Sequence, residues 1–375
     1  MEFVNIKRFA GLALFICYIA LLGGILAHFS IGTHPRFLNQ EEAVASQQAT
    51  LDRRPFILSG VPTNYSSWRS RIFIPYAIKG LANLTGIRFS QSYVLVRFIS
   101  ACLALAAFSL LAARHANGGN WYGAASAGFF ALTFFPTFLY IYETPTDFSD
   151  AFFFAVLTLL ALEKRRLPFA LVLLVGMTNR ESAIFALVVW FVIHAVGSRH
   201  AVVIREAAYC AVLGALASVL IAWLRVSFAV RPDGQLANYG LAAIAQPFTW
   251  HIWWGLSNHM SSFLLHPYFG SPIFYLLGYT VFFTALLWGG RHQLPPPVRR
   301  AAVAAAGIFI FSVPFANLPE IRVYIPSLVI VTFAAVVLLR QKIRVATIEA
   351  EARVGSQRSI DIPNSSLPTP PTRED

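Results

Sequence analysis

Between Glu163 and His200 the chain reads EKRR, then a long stretch that is almost wholly apolar, then GSRH. About 20 apolar residues suffice to cross a hydrocarbon core as helix, and basic clusters collect on the cytoplasmic face. One straight helix would set the two basic clusters on opposite faces. A broken helix or hairpin satisfies both constraints: 167–177 rises, Thr178, Asn179, Arg180 and Glu181 turn the chain, and 182–196 returns. The turn then carries ionisable groups to membrane depth, where their desolvation cost marks them as candidates for function. Thr178 and Glu181 have capping-box spacing, in which each side chain satisfies a backbone N–H at a helix start. Such a start, with Arg180 beside it, attracts an anion. The structural alternative leaves Glu181 as a cap and Arg180 as the partner of a nearby acid.

The same physics governs the rest of the chain. Only 12% of its residues are charged and 57% are apolar, against about 25% charged in a soluble domain. The mean hydropathy is +0.61. We expect an all-α polytopic membrane protein with about ten transmembrane or half-membrane helices. The expected spans are 9–29, 92–113, 121–141, 149–162, the halves 167–177 and 182–196, then 205–230, 272–289, 301–318 and 323–339. One helical domain thus fills 1–340, with larger external loops at 30–91 and 231–271, and the Pro-rich segment 341–375 reads as a disordered cytoplasmic tail. Lys7 and Arg8 precede a first apolar segment too long for a cleaved leader, so it is expected to be retained. Short connections holding Arg114, then Lys164, Arg165 and Arg166, then Arg199 and Arg205, fall on one side. Both termini join them there, on the cytoplasmic face.

The first loop departs from this charge rule. It carries Arg36, Arg53, Arg54, Arg69, Arg71, Lys79 and Arg88 among aromatic residues. That pattern suits phosphate head groups at a membrane surface, and equally plain anchoring to anionic lipid. Within it RIFIPYAIKGLANL has helical spacing and is too short to span, so we expect an interfacial helix. In the second loop Trp250, Trp253 and Trp254 read as an interfacial belt. His251, His259 and His266 are too far apart along a helix to share one metal. Cys17, Cys102 and Cys210 lie in apolar segments and suggest no disulfide framework. The net charge of +12 follows membrane topology and gives no case for nucleic acid.

Three acidic groups fall near the external boundary: Glu41, Glu42 and Asp52; Glu143, Asp147 and Asp150; and Glu320 beside Arg322. Each has a structural reading. Thr144, Pro145 and Asp147 make a helix start, Glu320 with Arg322 makes a rim ion pair, and Glu41 with Glu42 makes a solvated helix face. The functional reading is that they meet beneath the external surface.

With its long acidic first loop, the segment PTDFSDAF and the broken LVGMTNRESAIF, the chain resembles the C-type glycosyltransferase superfamily, in particular its bacterial mannosyltransferase-like members. The resemblance covers most of residues 1–340, though the first loop has no Asp-x-Asp pair. It implies transfer of a sugar from a polyprenyl-phosphate donor at the outer face of a bacterial plasma membrane. It also implies a carboxylate general base, for which Asp52 or Glu42 is the candidate. Arg71, Arg180 and Arg322 would contact the lipid phosphate. Asp147 and Glu181 would orient the donor or those arginines, and Thr178, Asn179, Glu143 and Glu320 complete the expected site. No cofactor is indicated. A lipid-linked transporter or flippase, which also uses broken helices with charges at mid-depth, and a non-catalytic membrane scaffold are the alternatives.

Overall fold

Every apolar stretch expected as a span carries a helix. The computed structural model describes residues 2–32, 40–53, 56–58, 61–63, 71–116, 119–134, 144–228, 270–312 and 324–360. Its helices are α1 (Glu2–Gly32), α2 (Gln40–Asp52), α3 (Phe73–Thr85), α4 (Phe89–Ala116), α5 (Gly119–Phe134), α6 (Thr144–Leu162) and α7 (Arg166–Asn179). They continue with a 3₁₀ turn at Glu181–Phe185, α8 (Ala186–Ala195), α9 (His200–Phe228), α10 (Gly270–Gly290), α11 (Pro296–Ser312) and α12 (Ile325–Ile360). A short antiparallel hairpin, β1 (Phe56–Leu58) with β2 (Val61–Thr63), is the addition to the all-helical expectation.

Among the described residues three helices are long and apolar enough to cross a membrane: Gly11–His28, Phe89–Ala116 and His200–Leu224. Leu14, Leu21, Leu132, Leu167, Val219 and Trp288 are all exposed, an apolar surface that suits lipid contact and would be a liability in water.

The centre is α4, which packs against α1, α3, α5, α6 and α12. It runs parallel to α6. Ser149 Oγ donates to Ser100 Oγ at 3.3 Å near one end, and Arg114 bonds Glu163 at 2.5 Å at the other, each pair 49 residues apart. Between these levels the bundle is packed with aromatic rings. Phe108 stacks on Phe130 at 4.2 Å, and Phe134 stacks on Phe148 at 5.7 Å. At the close of α6 Lys164 takes a left-handed φ of 59°. The N–H of Arg165 then reaches Leu160 O and that of Lys164 reaches Ala161 O, satisfying the last carbonyls as a Schellman motif does.

The expected hairpin forms. Glu206, on α9, accepts hydrogen bonds from Arg166 at the start of α7 and from Trp190 Nε1 in α8 at 3.0 Å. Both feet of the hairpin therefore stand at one level. His194 bonds Ala161 O at 2.8 Å there, and Arg300 Nη1 donates to Ile193 O at 2.9 Å. The opposite end is the tip, where α7 stops at Asn179 and the chain turns extended at Arg180, with φ −160° and ψ 138°.

Two expectations about the outer segments are refined. RIFIPYAIKGLANL is helical as α3, with Ile74 and Ile78 buried, and ends on Gly86 at φ 71°. Arg340 is not an element boundary, because α12 continues to Ile360; 361–375 lie outside the described residues. The sequence there supplies Ala, Glu, Gln, Lys and Arg in quantity, all good helix formers. The expected spans 121–141 and 301–318 also end partly in 135–143 and 313–323, outside the described residues.

Candidate functional site

The turn of backbone at Arg180 frees its side chain from both flanking helices and aims it at the first turns of α6. Asp147 and Asp150 are three residues apart there, so they share one face, near a helix N-terminus that favours carboxylates. Arg180 Nη1 lies 2.8 Å from Asp147 Oδ1 and 3.5 Å from Asp150 Oδ2. Ser182 Oγ, just past the break, donates to Asp150 Oδ1 and Oδ2 at 3.0 and 3.1 Å. Asn179 Nδ2 donates to Thr146 O at 3.1 Å, tying the tip of α7 to the start of α6. The group is buried: Asp150 is 1% exposed and Arg180 7%.

The first loop contributes a second ion pair. Arg71 Nε approaches Glu181 Oε2 at 3.5 Å, with both side chains partly buried. Two guanidinium groups, Arg71 and Arg180, thus face three carboxylates, Asp147, Asp150 and Glu181.

Close packing holds the hairpin tip in this pose. Gly176, one turn before the break, lies so near α6 and the 3₁₀ turn that a Cβ there would stand 3.3 Å from Ala183 Cβ and 3.4 Å from Phe153. The N–H of Arg180 is satisfied by Gly176 O at 2.9 Å, and Arg180 O in turn accepts from Ala183 N–H at 3.1 Å.

This geometry corrects the capping-box expectation. Thr178 Oγ1 turns back to Val175 O at 2.7 Å, the usual local competition of a threonine inside a helix. Glu181 reaches Arg71, and the 3₁₀ turn has no side-chain cap. The segment Thr178–Arg180 is consequently the end of α7, and it offers no row of free helix-start N–H groups to an anion.

The other expected residues divide into two sets. Asp52 is exposed at the end of α2, where it accepts from Gln48 Nε2 at 3.2 Å, and among the described residues no bond joins it to the Arg180 cluster. Glu41 is exposed on the same helix. Glu143, Glu320, Arg322 and the side chain of Glu42 lie outside what the structure describes. So do His251, His259 and His266. Among the described residues no three His, Cys, Asp or Glu side chains are grouped to hold a metal ion.

Asp150, expected among the converging acids but given no role of its own, joins the cluster, and Ser182 joins it without having been expected. The signal for both was position beside a residue already singled out, Asp147 or the break.

No protein-family model matches this chain, and no curated protein sequence matches it.

Proposed function

We propose that this protein is an integral-membrane glycosyltransferase that moves a sugar from a polyprenyl-phosphate donor to an acceptor at the outer face of the membrane. The observation that supports it is the meeting of Arg71, Asp147, Asp150, Arg180 and Glu181 at one end of an apolar bundle, at the point where α7 is broken. Isolated ions in such surroundings are strongly unfavourable, and a one-ended polar site suits a substrate whose tail stays in lipid while its head group reaches water.

In this reading the full chain has about ten membrane-crossing or half-crossing segments, with both termini cytoplasmic in a bacterial plasma membrane. Asp147 and Asp150 hold Arg180, and Glu181 holds Arg71, so that the two guanidinium groups border the donor head group. The acceptor oxygen attacks the anomeric carbon as the carbon–oxygen bond to the phosphate breaks. The bonding pair leaves with the lipid phosphate, and the acceptor proton passes to a carboxylate. Asp52, exposed on the first-loop helix α2, or Glu42, earlier on the same helix, is the proposed base.

The broken helix is equally a device of secondary transporters, and that is the rival reading. The sequence has no internal repeat of the kind that transporters use. Comparison of lipid extracts and envelope glycans from cells with and without the gene separates the two. Transfer predicts that one polyprenyl-phosphate sugar accumulates and one glycan loses a residue. Arg180→Ala, and separately Asp52→Asn with Glu42→Gln, should reproduce that loss with the protein still in the membrane. Extracts identical with and without the gene would remove the transferase reading.

A further inference from the structure

A third arginine lies abreast of the cluster, and among the described residues no carboxylate pairs with it. Arg97 is on α4, and only 3% of its surface is exposed. The parallel packing of α4 on α6 at a constant offset of 49 residues sets it level with Thr146, the residue whose carbonyl holds Asn179. Its position on the helix is as informative. Ser100, one turn further along, faces α6 through Ser149. Tyr93, one turn before, packs with Ile74 and Ile78 of α3 and Ala43 of α2. Arg97 therefore stands where the first-loop helices meet the acidic start of α6.

Its partners do not neutralise it. The guanidinium carbon lies 5.7 Å from the centre of the Tyr93 ring, and Nε, buried, has no hydrogen-bond acceptor among the described residues. The Arg180 cluster shows what pairing looks like in this bundle, with every guanidinium there against an acid. A buried guanidinium without an acid is costly in a low-dielectric interior. That cost is offset when an oxyanion binds, since the planar fork donates two parallel hydrogen bonds to a phosphate. Two further buried groups of the same region also lack partners among the described residues, Ser92 Oγ on α4 and Asn179 Oδ1 at the hairpin tip. They are a hydroxyl donor and an amide acceptor suited to a polar head group.

We propose that Arg97 is the oxyanion-binding residue of this protein, taking the phosphate of a ligand that enters between α2, α3, α4 and α6. It rests on the transferase reading for the identity of that ligand, a prenyl phosphate ester, and it assigns the phosphate to Arg97 rather than to the paired Arg180. Arg180 keeps its acids, whereas Arg97 is a buried guanidinium that no carboxylate pairs with among the described residues.

The test uses the full chain in phosphatidylcholine nanodiscs. Farnesyl phosphate, farnesol and inorganic phosphate are titrated separately, read by intrinsic fluorescence and by the shift in melting temperature. Farnesyl phosphate should bind at least tenfold more tightly than farnesol, and Arg97→Gln should erase that preference. Arg97→Lys, which keeps the charge but not the fork, should lose several-fold, and it covers the case of a glutamine variant that fails to accumulate. Arg205→Gln, at the far end of the bundle, should bind as the native chain does. Without ligand, Arg97→Gln should melt no lower than the native protein, whereas an arginine held for packing would lower it.

Inorganic phosphate that binds as tightly as farnesyl phosphate, through Arg97, upholds the site and identifies its ligand as the free ion. A phosphate preference that survives in both Arg97 variants, or a native chain that does not distinguish farnesyl phosphate from farnesol, overturns the proposal. Phosphate binding through Arg97 in a protein that transfers no sugar keeps this site and removes the transferase reading. Transfer undiminished in Arg97→Gln does the reverse.

Discussion

Arg180 illustrates how a single buried charge is tolerated and how the bundle responds when its partners change. Its guanidinium has two acids within ion-pair distance, and one of them is further held by Ser182. Removing the cation alone leaves two buried carboxylates without it, and breaking a buried pair from one side costs about 3–5 kcal/mol. Arg180→Ala should therefore lower unfolding stability in mild detergent by about that amount, measured by denaturant titration. Arg180→Met combined with Asp147→Asn and Asp150→Asn removes the charges together, and neutral replacement of a buried ion group is often without cost. That triple variant should recover most of the lost stability while remaining inactive. If it stays as unstable as Arg180→Ala, the loss comes from packing and not from uncompensated charge. The sequence made Arg180 and Asp147 visible because ions in apolar runs are rare. It misdirected the reading of Thr178 and Glu181, since a Thr-x-x-Glu spacing has the same letters whether the threonine caps a helix or bonds back within one. Arg97 carried the same warning as Arg180, a lone ion in an apolar run, yet without a neighbouring polar string it did not stand out.

At the level of elements, the broken hairpin was legible from the basic residues at both of its feet, which Glu206 draws to one level through Arg166 and Trp190. The β1–β2 hairpin was less visible. Its strands are three residues each, too short for a period-2 pattern to emerge. Helix-to-helix approach was likewise hidden, because a glycine in an apolar run does not reveal what it faces. Gly23 of α1 is such a case: a Cβ there would lie 2.5 Å from Cys102 Sγ and 3.2 Å from the Cys102 backbone nitrogen. Small residues permit this close crossing, which in lipid depends on packing more than on hydrophobic drive. Gly23→Leu should thus push α1 off α4 and cost about 1–3 kcal/mol, the usual penalty for overpacking, read as a lowered melting temperature. Gly11→Leu, where open space surrounds the glycine, should leave it unchanged. Equal effects at both positions would show that α1 does not cross α4 through Gly23.

For the whole molecule, two polar layers bracket an apolar middle. One contains Asp147 and Arg180, the other Glu163, Arg114 and Glu206. Sixteen residues of α6 and its cap separate Asp147 from Glu163, roughly 24 Å at the helical rise, close to the ~30 Å of a hydrocarbon core. The same division is marked on α9. Arg53, next to Asp52, lies over the ring of Phe228 at 5.0 Å, and Phe228 ends that helix, whereas Arg199 precedes its first residue. A 29-residue helix is long enough to span the whole membrane. Asp52 and Arg199, both exposed, should then face opposite compartments. With Cys17, Cys102 and Cys210 replaced by serine, a membrane-impermeant thiol reagent applied to intact cells should label Asp52→Cys within minutes. Arg199→Cys should react only after the membrane is opened. The reverse order would invert the assigned orientation and move the Arg180 end to the cytoplasmic face. Labelling of both from one side would mean that α9 does not cross, and would remove the membrane depth on which the cost of the Arg97 and Arg180 charges is argued.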